Sequence, residues 1–436
     1  MGEVFLPTNN SGLSYIDNFA EVIPDFLNDF PIYYHPKTAQ FYQYINDTGI
    51  FLLLEENDVR RLIHQYLQEC WNPKLESSIL ASLPVYAKAI KELDDVPNII
   101  VCQNGVFCLD DLELKKFSSK YHSTFRIEAS YNPDADAPTY DRFLKDISCN
   151  DIALVDTFNE LLGYVLSIYT KCEKCFTMVG YGANGKSTYL GLLSSFVGLH
   201  NISNISVNEI NSKAFSRHFI ADKRLNIIYE GESDMVMSEL MRGNVKQIVT
   251  GDPTSAEIKG GRNYSFIPKL KLIMATNTFP RIDKIPDHAT VRRLLILPFN
   301  NHFSADKADK DMLNKLLAEQ SGILNRAIEG FIRLRENSWK FSYEEKSQKI
   351  LLDMITSEFP TFEFAKERIV ADTDQRLTYN ELRQEFRIWC TKNNLAPILS
   401  DKEFAAELKQ SLQKLDIPFD VSKSGGDRGL KGITFK

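Results

Sequence analysis

One stretch constrains this chain more than any other. Residues 180–188 read GYGANGKST and fit the pattern G-x-x-x-x-G-K-[ST]. A short apolar run, CFTMVG, leads into it, and a helical pattern, STYLGLLSSFVG, follows. Strand, glycine loop and helix in that order let a backbone curl around phosphate groups. Gly180, Gly182 and Gly185 permit the curl, and the N–H groups along Ala183, Asn184 and Thr188 are expected to face the phosphates. Lys186 is expected to reach β- and γ-phosphates, and Ser187 to hold Mg²⁺ through its hydroxyl.

Three more apolar runs follow: RLNIIYE (224–230), KLIMATN (271–277) and LLILPF (294–299). Their alternation with helical patterns predicts an α/β fold with a mainly parallel sheet. Glu230 ends the first of these runs and Glu232 lies two residues on. One would bind Mg²⁺ and the other orient an attacking water; the assignment stays open, with Glu230 favoured as the main residue. Asn277 ends the next run, where its amide can contact the γ-phosphate or the water. Arg292 and Arg293 precede the last run, placed to stabilise transition-state charge from a neighbouring subunit.

The flanks read differently. Residues 1–148 mix aromatic-rich runs (FPIYYH, FYQYIN, GIFLLL) with helical periodicity in DVRRLIHQYLQEC and LPVYAKAIKELDD, an α+β pattern closed by the loop NPDADAP. Residues 149–300 hold the phosphate-loop unit, and 301–355 read as a helical lid or linker. Residues 356–436 read as two helices and a Gly-rich hairpin, which suggests a small winged helix. No apolar run approaches the ~20 residues that a membrane helix needs, and no signal peptide is evident at the start. Seven scattered cysteines fit a reducing compartment, and Cys172 and Cys175 read as plain strand residues leading into the phosphate loop. A cytoplasmic setting, in a bacterial or virus-infected cell, is expected.

The order GYGANGKST, KRLNIIYEGES, KQIVTGDPTSAEIKGGRNYSFIPKLKLIMATN and VRRLLILPF resembles superfamily 3 helicases, and more closely the phage, plasmid and poxvirus primase–helicases. Asn184 before Gly185-Lys186 matches that family's form of the loop, and Gly251-Asp252-Pro253 with Lys259 matches its extra motif. The match covers roughly residues 150–300; NGVFCLDDLEL and YNPDADAP upstream match more loosely. The resemblance implies a P-loop AAA+ type core, ATP as the nucleotide, a homo-hexameric ring around single-stranded DNA, 3′-to-5′ travel and replication of a mobile element or virus. It makes Arg293 the first finger candidate and Arg292 the second. It also turns EIKGGRNYSF into a pore hairpin, with Lys259 and Arg262 as phosphate contacts.

Local charge agrees with the hairpin. Between Glu257 and Arg293 lie eight Lys/Arg against three acids, a balance of +5 in a chain of net −7. Phosphate contacts of this kind hold nucleic acid without reading sequence. Lys423, Arg428, Lys431 and Lys436 against Asp427 make a basic tail suited to duplex DNA. No metal-binding acidic pair with a supporting His stands out in residues 1–150, so primase chemistry is expected of a separate polypeptide, a candidate partner with other replication proteins. The alternative reading is an ATP-gated origin-binding or loader ATPase without processive unwinding.

Overall fold

The apolar runs become one five-stranded sheet in the computed structural model, which describes residues 19–229, 236–258, 263–304, 308–396, 399–424 and 426–436. The strand order is Leu294–Pro298, Cys175–Val179, Lys271–Thr276, Leu225–Ile228, Ile202–Ser203. Every pairing is parallel. Parallel strands covered on both faces need near-continuous apolar runs, and Cys175–Val179, Leu225–Ile228 and Leu294–Pro298 are buried at every position. Ile202–Ser203 is too short to leave such a run, so the sequence did not reveal this edge strand.

Alternate residues of each strand feed opposite faces. Phe176, Met178, Ile273, Leu295 and Leu297 join one core cluster, with helices Ile152–Leu166, Lys186–Val197 and Gln320–Glu336. Cys175, Leu272, Met274, Leu294 and Ile296 join the other, with Gly243–Thr250 and Glu344–Glu358. The first cluster also takes Ile100, Phe107, Phe125, Tyr140 and Phe143. Packing therefore runs across the border drawn at residue 148, because helix Pro138–Ile147 lays its apolar face on the sheet layer.

Upstream, Ile32–His35, Gln40–Ile45 and Ile50–Leu54 form an antiparallel meander, with helices Glu56–Leu67 and Pro73–Tyr86 beside it. Here one expectation fails. LPVYAKAIKELDD is helical only as far as Tyr86. Beyond it, Lys88–Ala89 pairs in parallel with Tyr33 and Tyr34, so sheet pairing wins over helical periodicity.

The last unit has its own core around Phe364, Phe386, Phe404, Leu408 and Ile433. Helices Tyr379–Lys392 and Asp401–Lys414 begin at capping boxes, Thr378 with Glu381 and Ser400 with Glu403. The expected hairpin is Asp420–Ser424 with Asp427–Phe435. A strand that the sequence did not reveal, Ile369–Thr378, pairs with Asp427–Phe435; only Ile369 is fully buried, and the polar run 372–376 interrupts any apolar signal. Among the described residues no helix is long and apolar enough to cross a membrane.

Candidate nucleotide and nucleic-acid site

The glycine loop leaves the sheet after Val179, at the carboxyl ends of the strands, where open α/β sheets bind ligands. Gly185 caps helix Lys186–Val197 with φ +86°, and a Cβ there would lie 2.5 Å from Ile147 Cγ2. Conformation and space both demand glycine. Asn184 is 3% exposed. Its Nδ2 donates to the Phe299 carbonyl at 3.3 Å, and its Oδ1 accepts from the Lys186 N–H at 3.3 Å. The side chain thus braces the loop against the end of strand Leu294–Pro298. Phe303 N–H adds a 2.7 Å bond to the Ala183 carbonyl.

Lys186 Nζ donates to the Thr276 carbonyl (2.6 Å), the Gly180 carbonyl (3.1 Å) and Asn277 Oδ1 (3.2 Å). Lys186 and Asn277 are therefore neighbours in space, 91 residues apart in sequence. The strand order explains it: Lys271–Thr276 lies directly beside Cys175–Val179. A cavity of about 410 Å³ opens here, lined by Gly182, Ser187, Thr188, Tyr229 and Asn277 among others. The helix N-terminus, the ammonium group and the exposed Ser187 hydroxyl suit a magnesium-bound triphosphate. Glu230, Glu232, Lys259 and Arg262 lie outside the described residues.

The two arginines sit at the other end of the sheet. Leu294 pairs with Cys175, at the amino ends of both strands, whereas the loop follows Val179. At about 3.3 Å per residue, roughly 13 Å of strand separates them. Arg293 is 5% exposed; Nη1 donates to the Ala289 carbonyl at 3.0 Å and Nη2 to Glu173 Oε2 at 3.1 Å. Arg292 keeps half its side chain in solvent and reaches the same oxygen at 3.3 Å. Motif alignment put Arg293 first, but Arg292 is the one facing outward. Nothing in the residues upstream of the loop had singled out Glu173.

Strands Thr254–Glu257 and Asn263–Phe266 form the expected hairpin stem. Gly251 ends helix Gly243–Thr250 at φ +74°, where a Cβ would meet Thr170 Oγ1 at 2.3 Å. The Gly-Asp-Pro segment is thus the hinge by which helix becomes hairpin. Arg217, another residue the sequence did not flag, anchors the stem. It is 6% exposed and donates to the carbonyls of Ser255 (2.6 Å) and Ile210 (2.9 Å). Burial pushes its pKa down. Tyr264 hydrogen-bonds His218 Nδ1 at 2.8 Å, so it packs the stem.

The +5 run needs correcting. Lys271 is 3% exposed and donates to the carbonyls of Ser167 (2.6 Å) and Lys269 (3.0 Å). Lys269 is turned onto the carbonyls of Leu93 and Asp94. With Arg293 also inside, three of the eight cations serve the protein's own joints. In the C-terminal hairpin, by contrast, Lys423 faces Arg428 across the ladder, and both are exposed with Lys431 and Lys436. Cys175 opens its strand as expected, but Cys172 lies in the turn before it, where the chain reverses ahead of the strand; both are buried thiols with pKa raised by burial, Cys175 to about 12.

Together these features define an α/β protein with a strand–glycine loop–helix cradle on an all-parallel sheet. Residues 20–149 match the family described as D5 N terminal like, and residues 178–293 match a family of unknown function, DUF5906. The chain is 26% identical over 283 residues to a candidate helicase of Acanthamoeba polyphaga mimivirus, covering 61% of this chain and 27% of that protein. It is 24% identical over 307 residues to the uncoating factors of Monkeypox virus and Vaccinia virus (strain Western Reserve), covering 65% of this chain and 38% of theirs. The chain spans between about a quarter and two-fifths of the length of these relatives. The solved apo C-terminal region of NrS-1 (305–718) has the same fold, with TM-score 0.58 at 13% identity over 96% of this chain and 99% of that one. The chain thus carries a D5 N terminal like region, is related in sequence to a mimivirus and two poxvirus proteins over part of their length, and shares the fold of the NrS-1 region.

Proposed function

We propose that this chain is an ATP-dependent DNA helicase of superfamily 3, working as a homo-hexameric AAA+ ring in the replication of a mobile element or virus. The division of the site carries the reading: the phosphate cradle lies at the carboxyl edge of the sheet and the arginine pair at the amino edge. One subunit cannot bring Arg292 or Arg293 to its own loop, so a complete site needs a neighbour. The kinship with a viral protein named as a candidate helicase supports the same reading.

When bound, MgATP supplies the bond whose cleavage drives movement. Lys186 would exchange carbonyl partners for phosphate oxygens, and Ser187 with Glu230 would hold Mg²⁺. Asn277, already against Lys186, would meet the γ-phosphate or the water, with Glu232 nearby in sequence. Lys259 and Arg262, which fall between the two stem strands in sequence, would contact single-stranded DNA, and the basic C-terminal hairpin of a winged-helix domain would contact duplex. A separate primase is a fitting partner, and the cytoplasm a fitting place.

The test is ATP hydrolysis with and without single-stranded DNA. Lys186→Ala should abolish hydrolysis, and Lys259→Ala should abolish its stimulation by DNA. Stimulation that survives in Lys259→Ala would remove the hairpin from the account.

A further inference from the structure

Glu173 closes the turn Thr170–Glu173, its N–H donating to the Thr170 carbonyl at 2.9 Å. Its φ is +50°, a left-handed conformation that residues with a Cβ rarely adopt. One oxygen, Glu173 Oε2, accepts from Arg293 Nη2 at 3.1 Å and from Arg292 Nη2 at 3.3 Å. The two contacts are unequal. Arg293 has 6% of its side chain exposed and a second bond to the Ala289 carbonyl; Arg292 has 50% exposed. Solvent screens the Arg292 contact far more.

The backbone of Arg292 is pinned separately. Lys174 Nζ donates to the Arg292 carbonyl at 2.5 Å and to Glu344 Oε1 at 2.7 Å, at the first turn of helix Glu344–Glu358. Arg292 therefore has a fixed backbone, an outward side chain and a weak internal partner.

We infer that Glu173 is a positioning residue: it fixes Arg293 as a buried anchor and holds Arg292 ready for delivery to the triphosphate of the neighbouring subunit. The exchange is electrostatically tidy. When Arg292 leaves for phosphate, Glu173 stays paired with Arg293, so no buried charge loses its partner. Delivery of Arg293 would instead strip a buried guanidinium of two bonds. The inference rests on the trans-arginine reading above.

The experiment measures steady-state ATP hydrolysis and equilibrium ATP binding for Arg292→Ala, Arg293→Lys, Glu173→Gln and Glu173→Asp, each alone and mixed with Lys186→Ala subunits. Arg292→Ala should lose at least ~10³-fold in kcat, as for a missing finger arginine, with ATP binding retained. Glu173→Gln should lose roughly 10–100-fold in kcat at unchanged KM, the cost of a misplaced group. Glu173→Asp, which keeps the charge, should recover part of it. Arg293→Lys should lose less than Arg292→Ala. Mixing with Lys186→Ala should restore activity to both Arg292→Ala and Glu173→Gln, because both defects act on the neighbour's site. A purely structural role for Glu173 would lower folding stability without that complementation, and would overturn the inference. Normal kcat in Glu173→Gln, or a larger loss in Arg293→Lys than in Arg292→Ala, would overturn it while leaving the trans arginine standing. Normal hydrolysis by Arg292→Ala and Arg293→Lys alike would sink the trans-arginine reading itself.

Discussion

At Asp94, burial and charge oppose each other. Burial pushes the carboxyl pKa up, but the Arg224 guanidinium 2.7 Å away, Lys269 and the Thr124 bonds outweigh it and hold it below its ordinary value. Such a group stabilises the fold above its unfolded pKa, near 3.9, and that contribution is lost as pH falls through the folded value. Asp94→Asn would leave Arg224 buried without its counter-charge, at a cost of about 3–5 kcal/mol. Urea denaturation at pH 7 reads this directly; a loss under about 1 kcal/mol would mean that the joint is solvated. Lys271 works the other way. Burial is the main cause, with Arg224 adding to it, and its pKa lies well below the ordinary lysine value. The unfolded chain then binds the extra proton, so stability from this group rises with pH up to about 10.4. Between pH 7 and pH 9, wild type should therefore gain stability relative to Lys271→Met. Identical slopes for the two proteins would refute a depressed Lys271.

Elements differed in how much of them could be read from sequence. Four core strands were legible because both their faces are buried, which forces continuous apolar runs. The cradle was legible because glycine spacing and Lys186 leave little freedom. Ile369–Thr378 was hidden because the polar run 372–376 breaks its apolar pattern, and Lys88–Ala89 because a two-residue strand leaves no period. Arg217 and Glu173 escaped notice, and Lys271 was counted as charge for nucleic acid, for a shared reason. A cation or acid in a polar stretch looks solvated until the fold shows which carbonyls or counter-charges surround it. The stem Thr254–Glu257 with Asn263–Phe266 is an example: the sequence pointed to Lys259 and Arg262 as phosphate contacts, but gave no sign that the buried guanidinium of Arg217 ties the first stem strand to the neighbouring helix.

At the scale of the molecule, the sheet separates the two residue groups that the proposed reaction would join. Lys186 and Asn277 meet at one edge; Arg292, Arg293 and Glu173 meet at the other. The N-terminal unit is tied to the amino ends of strands Leu225–Ile228 and Lys271–Thr276 through Arg224, Lys269 and Asp94. Asn277 follows the opposite end of the second strand, and Glu230 lies two residues after Ile228 in sequence. On the proposed function, a subunit so arranged would be incomplete alone and complete beside a copy of itself. Strand displacement on forked DNA, with single-stranded tails of each polarity, tests the central claim most directly. Wild type should separate the strands only with hydrolysable ATP and on the tail polarity that its direction requires, 3′-to-5′ by family resemblance, and Lys186→Ala should separate none. ATP hydrolysis by intact rings with no strand displacement on either fork would contradict the account and favour a loader or scaffold instead.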